Sequence, residues 1–172
     1  MQRTRSKSLL NPSVWTNLAY LWPAYFAPGV VPTCVLLLLG AYLTTMSGAY
    51  HYYLNSKWQR WDVAATMTYA AALTTTVAAV HWSLWLYLIL PLIIVLYARY
   101  TWDIDSHKHV PAWIGLGLVL LAWTAGWQAL YAAPSVLALD LIKQMDEDPN
   151  GHWHDLWHVI GGKAGSIVVA LL

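Results

Sequence analysis

Ser47 and His51 stand four residues apart near the end of one apolar stretch, and Asp62 follows the histidine by eleven residues. On a helix, residues four apart share a face, so the hydroxyl and the imidazole point the same way, with Asp62 at the start of the next segment. Towards the other end of the chain His154 and His158 repeat the four-residue step, again where an apolar run begins. Neutral imidazole is a good zinc ligand, and a catalytic zinc site has three protein ligands with the fourth position open to water. His51, His154 and His158 are therefore the predicted metal ligands, and Zn2+ the predicted cofactor. Zinc in such a site activates water and polarises a carbonyl. Asp62 is the candidate to hold that water and shuttle its proton, and Ser47 the candidate to hydrogen-bond a developing oxyanion. Each residue also has a plainer role: a helix-end histidine reaching water, an aspartate favoured by a helix dipole, a serine as a small packing residue.

Composition sets where such a site sits. Of the 172 residues 59% are hydrophobic and 10% charged, with a mean hydropathy of +0.47, too few charges to cover a soluble globule of this size. The chain reads as an integral membrane protein, multi-pass, in a single domain over 1–172. Twelve Trp and eleven Tyr against one Phe fit rings that settle at the headgroup level. A formal net charge of +1 without a basic run gives no reason to expect nucleic-acid binding. One cysteine, Cys34, excludes an internal disulfide and a cysteine metal site. Arg3, Arg5 and Lys7 precede an apolar stretch as in a signal peptide, but no small-residue cleavage site follows, and the stretch is expected to stay.

The chain then divides into candidate helices. Positions 8–56 carry no Asp, Glu, Lys or Arg, enough length for two crossings broken at Pro28-Gly29 to Pro32. The first, Pro12 to Ala27, holds Asn17 and Pro23 and has an interfacial helix as its alternative. The second, Val31 to Leu54, ends with Ser47 and His51. Lys57 and Arg60 mark a polar turn, and Val63 to Ala98 suits two helices with a tight turn near His81 to Ser83. Pro111 reads as a first-turn proline for a helix reaching about Ala132. Pro134 to Pro149 is ambiguous, with Leu137, Leu141 and Met145 on one face but also Asp140 and Lys143. A last helix runs from His154.

Bringing His154 and His158 to the same level as His51 requires the Pro134 segment to cross as well. The expected architecture is thus an all-α membrane bundle of seven transmembrane helices, six if the N-terminal segment is interfacial. With seven, eight of the nine basic residues fall at the histidine end and only Lys163 elsewhere, so the positive-inside rule puts the site towards the cytoplasmic leaflet. His107, His109 and His152 are weaker metal candidates, because residues two apart do not share a helix face. Lys163 either snorkels or faces the cavity.

Ser-x3-His near a helix end, Asp eleven residues after that His, and a late His-x3-His with Trp157 before its last His resemble the CREST superfamily of seven-helix membrane hydrolases. The His-to-Asp step and the form His154-Asp-Leu-Trp-His158 are most similar to the alkaline ceramidases. The resemblance covers two short blocks of the chain. It implies a zinc amidase cleaving the N-acyl bond of a ceramide-like lipid, with zinc on His51, His154 and His158 and with Ser47 and Asp62 beside it. No Asp or Glu precedes Asp62, so a calcium requirement is not carried over. The alternatives are an ester-cleaving lipid hydrolase, a receptor-like or scaffolding protein with a closed structural zinc, and a histidine-based transporter, which needs polar residues continuing to the far side.

Overall fold

The computed structural model describes residues 12–100, 106–145 and 152–172, with the backbone alone at 106–108, 139–140, 142–145 and 152–154. The regular elements these residues form are all helices, without a strand among them. The N-terminal segment α1 is one continuous helical run whose middle tightens to 3-10 geometry: Pro12–Trp15, Thr16–Leu21 and Trp22–Phe26. Then come α2 (Val30–Tyr53), α3 (Ser56–His81), α4 (Leu84–Tyr100, its first turns 3-10), α5 (Ser106–Ala125, extended by Gly126–Tyr131), α6 (Ala133–Met145) and α7 (His152–Ala170).

Local chemistry sets the breaks. Gly29, at φ 87°, takes the conformation that starts α2 after Pro28. Between α2 and α3 only Leu54 and Asn55 intervene: Leu54 closes α2 in the left-handed region, its N–H donating to the Tyr50 carbonyl, and the Asn55 side chain accepts the Trp58 N–H at 3.1 Å. That cap starts α3 at Ser56, so Asp62 lies in the second turn of the helix and not at its first residue. Ser83 caps the following run by accepting the Trp85 N–H at 3.3 Å. Pro111 stands inside α5, which begins at Ser106, rather than in its first turn.

α3 is the central helix, with 72% of its apolar window buried against 28% for α2 and 11% for α5. Its buried face is built from alanine and threonine, small enough for neighbouring backbones to come close. The threonine hydroxyls are spent locally. Thr68 and Thr76 donate to the carbonyls four residues back at 2.8 Å, and Thr74 donates to Trp113 on α5 at 2.7 Å.

α1 lies lengthwise along two neighbours. Against α2 it is antiparallel: the Tyr20 carbonyl meets Gly40, Thr44 donates to the Asn17 carbonyl at 2.9 Å, and Val14 approaches Gly48. Against α7 it is parallel, Ser13 pairing with Asp155, Ala19 touching Gly162 and Pro23 meeting Gly165. Its face between them, including Ser13, Asn17, Tyr20 and Ala24, is buried. Asn17, a mark against burial in hydrocarbon when read in isolation, is 0% exposed, its side-chain amide donating to the Ser13 carbonyl at 2.7 Å.

Among the described residues three helices, Val30–Tyr53, Ser56–His81 and His109–Tyr131, are long and apolar enough to cross a membrane, and Leu84–Tyr100 is a shorter apolar helix. The outward faces are apolar too: Val30, Leu38, Trp85, Val119 and Trp123 are all largely exposed. A surface of this kind is suited to lipid rather than water. Lys163 is exposed and lines an outer groove with Trp22, Tyr25 and Phe26, which settles its direction as outward, along the surface.

A methyl group on Gly40 would sit 2.6 Å from the Tyr20 carbonyl oxygen and one on Gly162 would collide with Ala19, whereas Gly115 has nothing within 4 Å. Gly40→Ala and Gly162→Ala are therefore expected to destabilise the detergent-solubilised protein by about 1–3 kcal/mol, while Gly115→Ala is neutral or stabilising. Thermal unfolding of the three variants checks this.

Candidate metal and acid–base site

The C-terminal turn of α2 and the N-terminal turns of α1, α3 and α7 meet at one end of the bundle. The register of α1 with α2 and α7 produces this, because it fixes Ser13 opposite Asp155 and Val14 opposite Gly48. Two imidazoles from opposite ends of the sequence thereby come into contact: the ring centres of His51 and His158 are 5.3 Å apart and inclined by 58°. Both side chains are buried, at 3% and 2% exposure. Ser47 is buried one turn before His51 on the same face of α2.

The Tyr20 ring lies 5.8 Å from that of His158 and meets Tyr69 edge-on at 5.6 Å. Tyr69 donates its hydroxyl to the Tyr20 carbonyl at 2.6 Å, which ties α3 to α1 just below the histidines. Asp62, partly buried on α3, lies within coulombic range of the Tyr20 hydroxyl. Trp157 closes another side, its ring 5.8 Å from His158.

Several of these groups are not evident in sequence. Thr16 Oγ1 is 3.1 Å from Nδ1 of His158, and Ser13 donates to the Asp155 carboxylate at the start of α7. The signal for both was the polar stripe Ser13, Thr16, Asn17 and Tyr20 on a segment otherwise apolar, which counts against a lipid-facing helix but suits a buried one.

The fit of these residues to zinc can be tested from ring geometry. With nitrogens about 2.1 Å from a tetrahedral ion and each ring centre roughly 1.1 Å beyond its nitrogen, two imidazole ligands hold their centres about 5 Å apart. The His51–His158 separation of 5.3 Å agrees. A tilted ring pair reaches the same distance with no ion, but here both rings carry nitrogen donors and both are buried. His154 belongs to the first turn of α7, and its side chain lies outside the described residues, as do those of His107, His152, Asp140 and Lys143. Among the described residues no group of three His, Cys, Asp or Glu side chains converges.

Beneath the histidines a cavity of about 90 Å³ runs between α3, α5 and α7. Tyr20 and Trp157 line its upper part, and Leu73, Gly117, Ala164 and Val168 the rest; Thr66 and Thr74 are also in its wall. From Trp157 to Val168 it follows α7 for three turns, about 16 Å at the helical rise.

Comparison with known proteins adds no relative: no protein-family model, curated protein or solved structure matches the chain.

Removing the Tyr69 hydroxyl orphans a buried backbone carbonyl without touching either imidazole. Tyr69→Phe is expected to lower stability by about 1 kcal/mol, measured by thermal unfolding.

Proposed function

We propose that the chain is a zinc-dependent intramembrane lipid hydrolase, a seven-helix membrane protein whose histidine end faces the cytoplasm. The observation that carries this reading is the buried pair His51 and His158 at 5.3 Å, a spacing that two imidazoles on one tetrahedral ion adopt. His154 is the third proposed ligand. The apolar cavity leading away from the pair supports a lipid substrate: an acyl chain in the cavity stays in an apolar environment while its carbonyl reaches the polar level.

Bound zinc would supply an activated water and a Lewis acid beside the substrate carbonyl. The remaining work falls to side chains. His51 and His158, both buried at the bundle end, and His154 would hold the zinc through the lone pairs of their imidazole nitrogens. Ser47 donates a hydrogen bond to the oxygen on which negative charge develops. Asp62 takes the proton of the attacking water and returns it to the leaving amine or alcohol, a role worth about 10²–10⁴-fold in rate. The similarity to alkaline ceramidases favours an amide bond over an ester, and hence a ceramide-like substrate over an ester lipid.

Two features favour the hydrolase over the transporter reading. On α3, the hydroxyls of Thr68, Thr74 and Thr76 donate to helix backbone carbonyls. The cavity lining below the histidines is apolar.

Metal analysis of the purified protein, together with hydrolysis of amide-linked and ester-linked lipids, tests the proposal. Wild type is expected to hold one zinc and cleave the amide. His51→Ala and His158→Ala are expected to lose both zinc and hydrolysis, and Asp62→Ala to keep zinc while losing about 10²–10⁴-fold in rate. Zinc-free wild-type protein contradicts the proposal; undiminished turnover in Asp62→Ala removes the proton-shuttle role alone. Ala164→Leu, which fills the cavity wall away from the histidines, is expected to keep zinc and to shift preference towards shorter acyl chains in the same assay.

A further inference from the structure

His158 needs more than a metal on one side of its ring. A neutral imidazole has one nitrogen that donates and one that accepts, and which is which follows from the partner each nitrogen meets. At Nδ1 of His158 that partner is the hydroxyl of Thr16, 3.1 Å away. The contact is held in register from both directions along α1. Ser13, one turn earlier, bonds Asp155, and Ala19, three residues later, is seated against Gly162. Thr16 therefore cannot slide along α7 or turn away without breaking buried contacts on either side of it.

We infer that Thr16 is a positioning residue for His158: its hydroxyl oxygen accepts the Nδ1–H, fixing the tautomer that leaves the lone pair on Nε2. The inference rests on the reading of His158 as a zinc ligand. Metal-bound histidines characteristically donate their other ring N–H to an outer partner, which orients the ring and raises its basicity. Were the hydroxyl to donate to Nδ1 instead, the proton would sit on Nε2 and that nitrogen could not bind metal. The N-terminal segment thus acts as a splint for the His-x3-His helix, with Ser13 anchoring its first turn and Thr16 setting the ring.

The test is zinc affinity of the detergent-solubilised full chain, measured by competition with a chromophoric chelator. Thr16→Val, equal in size but lacking the hydroxyl, is expected to bind zinc about 10–100-fold more weakly than wild type; Thr16→Ser, which restores the acceptor, is expected to bind close to wild type. Thr16→Val binding zinc as tightly as wild type overturns the inference and leaves the zinc reading intact. Failure of wild type to bind zinc overturns that reading itself. If Thr16→Val does not fold, 15N NMR of histidine-labelled, metal-free wild type replaces it, the His158 signal being assigned by its loss in His158→Gln. A proton on Nδ1 is expected, and a proton on Nε2 overturns the inference.

Discussion

Two imidazoles buried at one end of an apolar bundle constrain everything around them. Each ring carries a donor and an acceptor that water cannot reach, and a buried polar group without a partner costs roughly 1–3 kcal/mol. Partners must therefore come from packed helices, and α1 supplies one of them. Its seat between α2 and α7 depends on glycine: at Gly40 and Gly162 the α1 backbone comes closer than any side chain would allow. That close approach sets the register in which Thr16 reaches His158 and Ser13 reaches Asp155.

Below this level the bundle changes character. Alanine and threonine on α3 let α2, α4 and α5 pack closely around it, with threonine hydroxyls returned to helix carbonyls. Between α5 and α7 the packing opens into the apolar cavity. Polar groups at one end and hydrocarbon-like walls beneath suit the proposed lipid substrate, whose head and chain would be handled separately.

Much of the layout was legible in the sequence because it is written in strong local signals. The breaks at Pro28-Gly29 and His81 to Ser83 fall where those residues foretell them, and the four-residue steps of Ser47–His51 and His154–His158 mark helical faces. Ser47, His51 and His158 are buried, and the two imidazoles are in contact. Boundaries were less legible where a nonlocal or weak local signal decided them. Asn55 caps α3 at a point where Lys57 and Arg60 suggested a turn, and α5 accommodates Pro111 in its interior. Least legible was the role of α1. Its polar stripe looks unfavourable in a single helix, and its purpose emerges only when α2 and α7 are laid on either side.

The proposed function requires His51 and His158 to share one metal ion, and X-ray absorption at the zinc edge of the purified protein addresses that directly. The expected spectrum shows zinc with imidazole nitrogens at about 2.0–2.1 Å, and that nitrogen shell is lost in His51→Ala. Protein that carries no zinc, or zinc surrounded by oxygen alone, would contradict it.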